Sequence, residues 1–151
     1  MQFRAVLTAM AGLTALCAGG GLAAAQVPDE AARQLARQLA SYEHQFERGG
    51  FDRVDGPYSG GLRQGQSRYF NVTLEAGSEY QIIGVCDSSC MDLDMRLYDQ
   101  NGAPISENLA TDNVPIVSSR PRWTGPFRVM VTMYRCEDPR GCYFAFNVYG
   151  N

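Results

Sequence analysis

Cys86-Asp-Ser-Ser-Cys90-Met-Asp92-Leu-Asp94-Met-Arg-Leu-Tyr98-Asp99-Gln-Asn-Gly102 joins a tight cysteine pair to a run of strict alternation. Leu93, Met95 and Leu97 fall on one side of that run, and Asp92, Asp94 and Arg96 on the other. Side chains of a strand alternate between its faces, so the pattern predicts a half-buried β-strand ending in an Asn-Gly turn. The same period recurs on both sides of it. Phe70, Val72 and Leu74 alternate with Tyr69, Asn71 and Thr73, and Phe127, Val129, Val131 and Met133 with Arg128, Met130, Thr132 and Tyr134. Phe144, Phe146 and Val148 alternate with Tyr143, Ala145, Asn147 and Tyr149, while Tyr80 to Val85 is almost continuously apolar. Short strands are predicted at Ile105 and at Val114 to Val117, where Pro104 and Pro115 argue against central positions. Roughly six to eight strands with Gly, Asn or Pro between them predict a mainly β, antiparallel sandwich over 67–151. The last two strands read as a hairpin around the Glu137 to Gly141 loop.

Upstream the signal changes. Leu35, Leu39, Tyr42 and Phe46 recur at helical spacing, with Asp29 and Glu30 at the favourable end of the helix dipole and Gly49-Gly50 as a stop. This predicts one amphipathic helix over 26–48, either docked on the sheet or exposed for a partner. Residues 49–66 carry many glycines and little periodicity, and read as a Gly-rich linker. Residues 1–25 read as a signal peptide, with Arg4, an apolar run from Val6 to Leu16, and Ala23-Ala24-Ala25 before the cleavage point. The apolar run is too short to span a bilayer, and no later segment is a transmembrane candidate. A periplasmic or secreted product is expected.

Cleavage there leaves Cys86, Cys90, Cys136 and Cys142. An even count in an exported chain favours disulfides, and the local pairs Cys86–Cys90 and Cys136–Cys142 each bracket a turn. A Cys₄ zinc site is the rival, but the spacings are wider than the usual C-x₂-C knuckles. Every basic residue is arginine, and the chain carries a formal net charge of −3. An acidic surface argues against nucleic acid as a partner.

The sandwich region resembles the bacterial pre-peptidase C-terminal domain. The residues that carry the likeness are Tyr80 opening an apolar strand, Asp92-Leu93-Asp94 through Asp99 with Gly102, Asp112 ahead of Pro115, and Thr124-Gly125-Pro126-Phe127. The resemblance implies a jelly-roll-like sandwich with a non-catalytic role, here as a free-standing variant with two cysteine pairs.

The chemistry-bearing residues are few. Asp92 and Asp94, with Asp112, offer only oxygen ligands, so calcium is the cation they would hold. The alternative is that they bond loop amides or pair with arginines. His44, beside Glu43 and Glu47, reads as a solvated surface residue, and no nucleophile–base pair or phosphate loop is present. Trp123, between Arg122 and Thr124, and Tyr98, among many tyrosines, are the recognition candidates. The expected function is an exported, non-catalytic binding or accessory module engaging a protein or glycan of the envelope, without an obligatory cofactor. A structural envelope protein docking through its N-terminal helix is the alternative, and an enzyme using Asp92 and Asp94 is the remote one.

Overall fold

The computed structural model describes residues 26–151. The leader read over 1–25 lies outside them. Helix α1, Asp29–Arg48, is followed by eight strands: β1 Asp52–Leu62, β2 Ser67–Leu74, β3 Tyr80–Cys86, β4 Cys90–Tyr98, β5 Pro104–Asn108, β6 Ile116–Ser119, β7 Gly125–Cys136 and β8 Cys142–Gly150. They form two four-stranded sheets in the orders β1-β8-β3-β6 and β2-β7-β4-β5. This is the double-sheet order of a jelly roll. Only β4 and β5 are consecutive strands within one sheet; every other connection crosses to the facing sheet.

The alternation predicted in the sequence explains the core. Val72, Leu74, Leu93, Met95, Leu97, Phe127, Val129, Val131 and Met133 from one sheet meet Ile82, Val117, Phe144, Phe146 and Val148 from the other, all buried. Burying each of the larger side chains is worth about 1.5–3 kcal/mol. Strands β3 and β8 are buried on their second face too, because α1 lies there. Leu35 and Leu39 pack with Ile83, Val85, Ala145 and Tyr149, while Phe46 stacks on Tyr149 at 4.6 Å between ring centroids. That second cover is why Tyr80 to Val85 shows no polar alternation. It also places the apolar stripe of the helix: Leu35 and Leu39 are buried against the chain's own sheet, and Tyr42 and Phe46 are partly buried there.

Three expectations change. The segment 49–66, read as a linker, contains β1, which pairs along its length with β8 from Asp52↔Gly150 to Leu62↔Cys142. Register shifts between Arg53 and Asp55 and between Asp55 and Tyr58 break its period, and a broken period reads as a loop. Its glycines are there for close approach: a Cβ on Gly61 would come within 3.1 Å of the Tyr143 ring, and one on Gly56, at φ +101°, within 2.8 Å of Asn147 Oδ1. Second, β7 and β8 are not a hairpin. They belong to opposite sheets, so the loop between them crosses the sandwich. Third, Asp92 is not exposed to solvent as an outward polar position would be: it is 3% exposed, flanked by irregularities in the β4–β7 ladder and beside the charges of Asp112 and Arg135.

Pro104 and Pro115 behave as their chemistry requires. Pro104 opens the edge strand β5 and Pro115 precedes the edge strand β6, where a missing N–H costs no ladder bond.

Candidate functional site

Strands β6 and β7 are joined by Arg120 to Thr124, which carries the chain from one sheet to the other. Three hydrogen bonds pin this crossing to the β2–β3 turn. Gly77 N–H donates to Pro121 O at 3.0 Å, Arg120 Nε donates to Gly77 O at 3.2 Å, and Ala76 N–H donates to Thr124 Oγ1 at 2.9 Å. Pro121 is buried, which seats the middle of the segment. Trp123 then projects from a fixed backbone. Its ring stacks on Phe127 with centroids 5.7 Å apart and planes 15° from parallel. Phe127 is core, so the indole rests on the rigid part of the molecule while 36% of Trp123 stays exposed.

Beside this ring lies a cleft of about 530 Å³. Its walls come from both sheets: Ile105 of β5 on one side, Ser118 and Ser119 of β6 on the other, with Arg120 and Arg122 from the crossing. An exposed aromatic face, two guanidinium groups and two hydroxyls can stack on a planar or ring-shaped group and bond to polar substituents around it. Because the loop is already held, a ligand loses little to ordering it. Sequence reasoning singled out Trp123 but missed Ile105, Ser118 and Ser119. These lie on two short edge strands whose proximity is a tertiary fact.

Tyr98, the other recognition candidate, does not line this cleft. It stands on the outer face of the β2-β7-β4-β5 sheet, the face without a helix. There its ring is 6.1 Å from Tyr69, and its hydroxyl is 3.9 Å from Met130 Sδ. Arg128 sits 5.6 Å from the Tyr69 ring centroid, adding a cation–π contact.

The acidic residues are engaged with the fold. Asp112 Oδ1 accepts the Val114 N–H at 2.9 Å, and Asp99 Oδ1 accepts Asn101 N–H at 2.9 Å and Ala103 N–H at 2.8 Å, shaping the β4–β5 turn. Asp92 Oδ1 is buried without a partner. Burial pushes the Asp92 carboxyl above the ordinary carboxylate range, and the Asp112 charge adds to the rise while the Asp112 backbone N–H works against it. Asp94 is raised by burial first and by the Asp92 charge second. Among the described residues no group of three or more His, Cys, Asp or Glu side chains is arranged to hold a metal ion. Asp92, Asp94 and Asp112 are electrostatic neighbours: the Asp112 charge raises both Asp92 and Asp94, and the Asp92 charge raises Asp94.

His44 is exposed and meets Glu47 Oε2 at 3.2 Å, one helical turn on. The four cysteines among the described residues form Cys86–Cys90 and Cys136–Cys142. No helix among the described residues is long and apolar enough to cross a membrane.

No family model matches the chain, so the likeness to the pre-peptidase C-terminal domain rests on the residues quoted for it. No curated protein matches it either. Among solved structures it is similar to the periplasmic lysozyme inhibitor of g-type lysozyme, PliG, of Aeromonas hydrophila, at 12% identity and a TM-score of 0.46, over 64% of this chain and 85% of that one.

Proposed function

We propose that this protein is an exported, non-catalytic binding module that engages a protein or glycan of the cell envelope through the Trp123 cleft. The observation that carries the reading is the braced indole: Trp123 is stacked on core Phe127 and held on a loop with three hydrogen bonds, yet remains exposed beside a cleft of about 530 Å³. Trp123 gains its stack on Phe127 and still leaves 36% of its surface in water, where a partner would cover it. Recognition supplies the missing partner. The cysteine pairs support the exported setting, since such bonds persist in oxidising compartments. Neither Asp92 nor Asp94, the carboxylates of the enzymatic alternative, lines the cleft, whose acidic residue is Glu79.

The test compares wild type with Trp123→Ala in capture from the native envelope fraction and in binding to arrayed glycans. A ligand of the cleft is retained by wild type and weakened roughly thirtyfold by the substitution, the loss of about 2 kcal/mol expected of a central aromatic anchor. A ligand bound equally by both overturns the assignment to Trp123.

A further inference from the structure

The Trp123 cleft is richer in arginine than in acid. The chain has a formal net charge of −3, yet Arg120 and Arg122 both line the cleft, against the single carboxylate of Glu79. Neither arginine forms an ion pair among the described residues, unlike Arg53, Arg96 and Arg140. Arg120 donates its Nε to Gly77 O at 3.2 Å, a bond that holds the guanidinium in place and does not use its terminal nitrogens. A guanidinium fixed in this way meets a carboxylate through two parallel hydrogen bonds and loses little side-chain freedom in doing so.

Ser118 N–H, on the edge strand β6 that forms one wall, already donates to Ser106 Oγ of β5 at 3.1 Å. An extended peptide adding itself as a strand needs such edge amides free. What the cleft offers instead is side chains: the indole of Trp123 seated on Phe127, the hydroxyls of Ser118 and Ser119, and the two guanidinium groups. A sugar ring has the matching surfaces, a C–H face to lay on an indole and a rim of hydroxyls to bond the polar groups around it. A volume of about 530 Å³ takes about two such rings.

Given that the Trp123 cleft is the binding site, we propose that its ligand is an acidic glycan, a chain of sugar rings carrying carboxylates. One ring lies on Trp123 and its carboxylate is held by Arg120 and Arg122. Glu79 acts against an anion in the cleft, so neutralising it strengthens binding of the acid.

Trp123 is the only tryptophan of the chain, so its emission reports on the cleft directly. The mature protein is titrated with trimers of galacturonate, mannuronate and guluronate, and with the methyl ester of each, which keeps the rings and removes the charge. Hexaglutamate serves as the anion without a sugar. At least one acid is expected to shift the emission saturably and to bind about tenfold more tightly than its own ester. Arg122→Gln, at an exposed loop position, is expected to cut that preference to about a third, and Glu79→Gln to widen it about threefold. Equal binding of acid and ester, a preference unchanged by Arg122→Gln, or no saturable binding by any trimer overturns the acidic class. Hexaglutamate bound as tightly as the best uronate overturns the sugar. The cleft itself fails on a separate result, an acid or a captured envelope ligand held equally by wild type and Trp123→Ala in calorimetry.

Discussion

Cys90 and Cys136 stand opposite one another in register across β4 and β7, and each is bonded away from the other. Cys90 bonds to Cys86 of β3 and Cys136 to Cys142 of β8, so both disulfides run from one sheet to the facing sheet at the same end of the sandwich. The rings they close are short in sequence, but the bonds are inter-sheet clamps. Replacing one pair with alanines is expected to cost roughly 2 kcal/mol, the value for loops of this length, with the fold retained. Digestion without reductant followed by mass spectrometry should yield the two local pairs. A Cys90–Cys136 crosslink would contradict the local pairing while leaving the β4–β7 register as described.

Leu93 and Val131 are fully buried between the sheets, and Leu39 lies between α1 and its sheet. Leu93→Ala or Val131→Ala is expected to destabilise by about 2–4 kcal/mol, and Leu39→Ala by a similar amount. Tyr134→Ala, at a position 64% exposed on the open face, should stay within about 0.5 kcal/mol of wild type. Urea midpoints measure all four. A tolerated Leu39→Ala would mean that the helix is not docked as described.

The pH response follows from Asp92. Its carboxyl is held above the usual 3.8 by burial, so its contribution to stability is fully present below that value and is lost as pH rises through the folded value. Asp92→Asn removes this titration. The stability of the variant relative to wild type should therefore improve as pH rises from 3.8 through the raised folded value, read from urea denaturation at each pH. A difference that stays constant, or moves the other way, would show that the charged carboxylate is accommodated without cost. Millimolar calcium should leave the melting temperature of wild type unchanged, because a cation that bound only the native state would raise it by mass action. A rise abolished by Asp92→Asn with Asp94→Asn would restore these residues as a calcium site.

Strands β4, β7 and β8 were legible in the sequence because one face of each meets the core and the alternation survives. The helix was legible from four apolar positions, and its docking surface was hinted at by the uniformly apolar β3. Strand β1 was not legible, because two register breaks and its contact glycines erase the period. Nor was the pairing of β7 and β8. A five-residue loop between two cysteines serves a hairpin or a sheet-to-sheet crossing equally well, and only the Greek-key order decides. The burial of Asp92 accompanies a backbone irregularity that residue types do not announce. At the cleft, Trp123 was visible as an aromatic among loop-forming residues, while its partners on β5 and β6 come from segments distant in sequence.

The two clamps give the sandwich a stapled end and an open one. Strand β3 runs from Tyr80 to Cys86 and β7 from Gly125 to Cys136, so the Trp123 cleft, which includes Glu79, Ser119 and Phe127, lies a full strand away from the cysteines. Fraying should start where no covalent tie crosses between the sheets. Hydrogen exchange along β3 and β7 is therefore expected to slow progressively toward the cysteines, and a molecule seated against Trp123 would bridge the edges of both sheets at the loose end. Such a ligand acts as a third, reversible clamp, and its arrival would be read as a flattening of that exchange gradient.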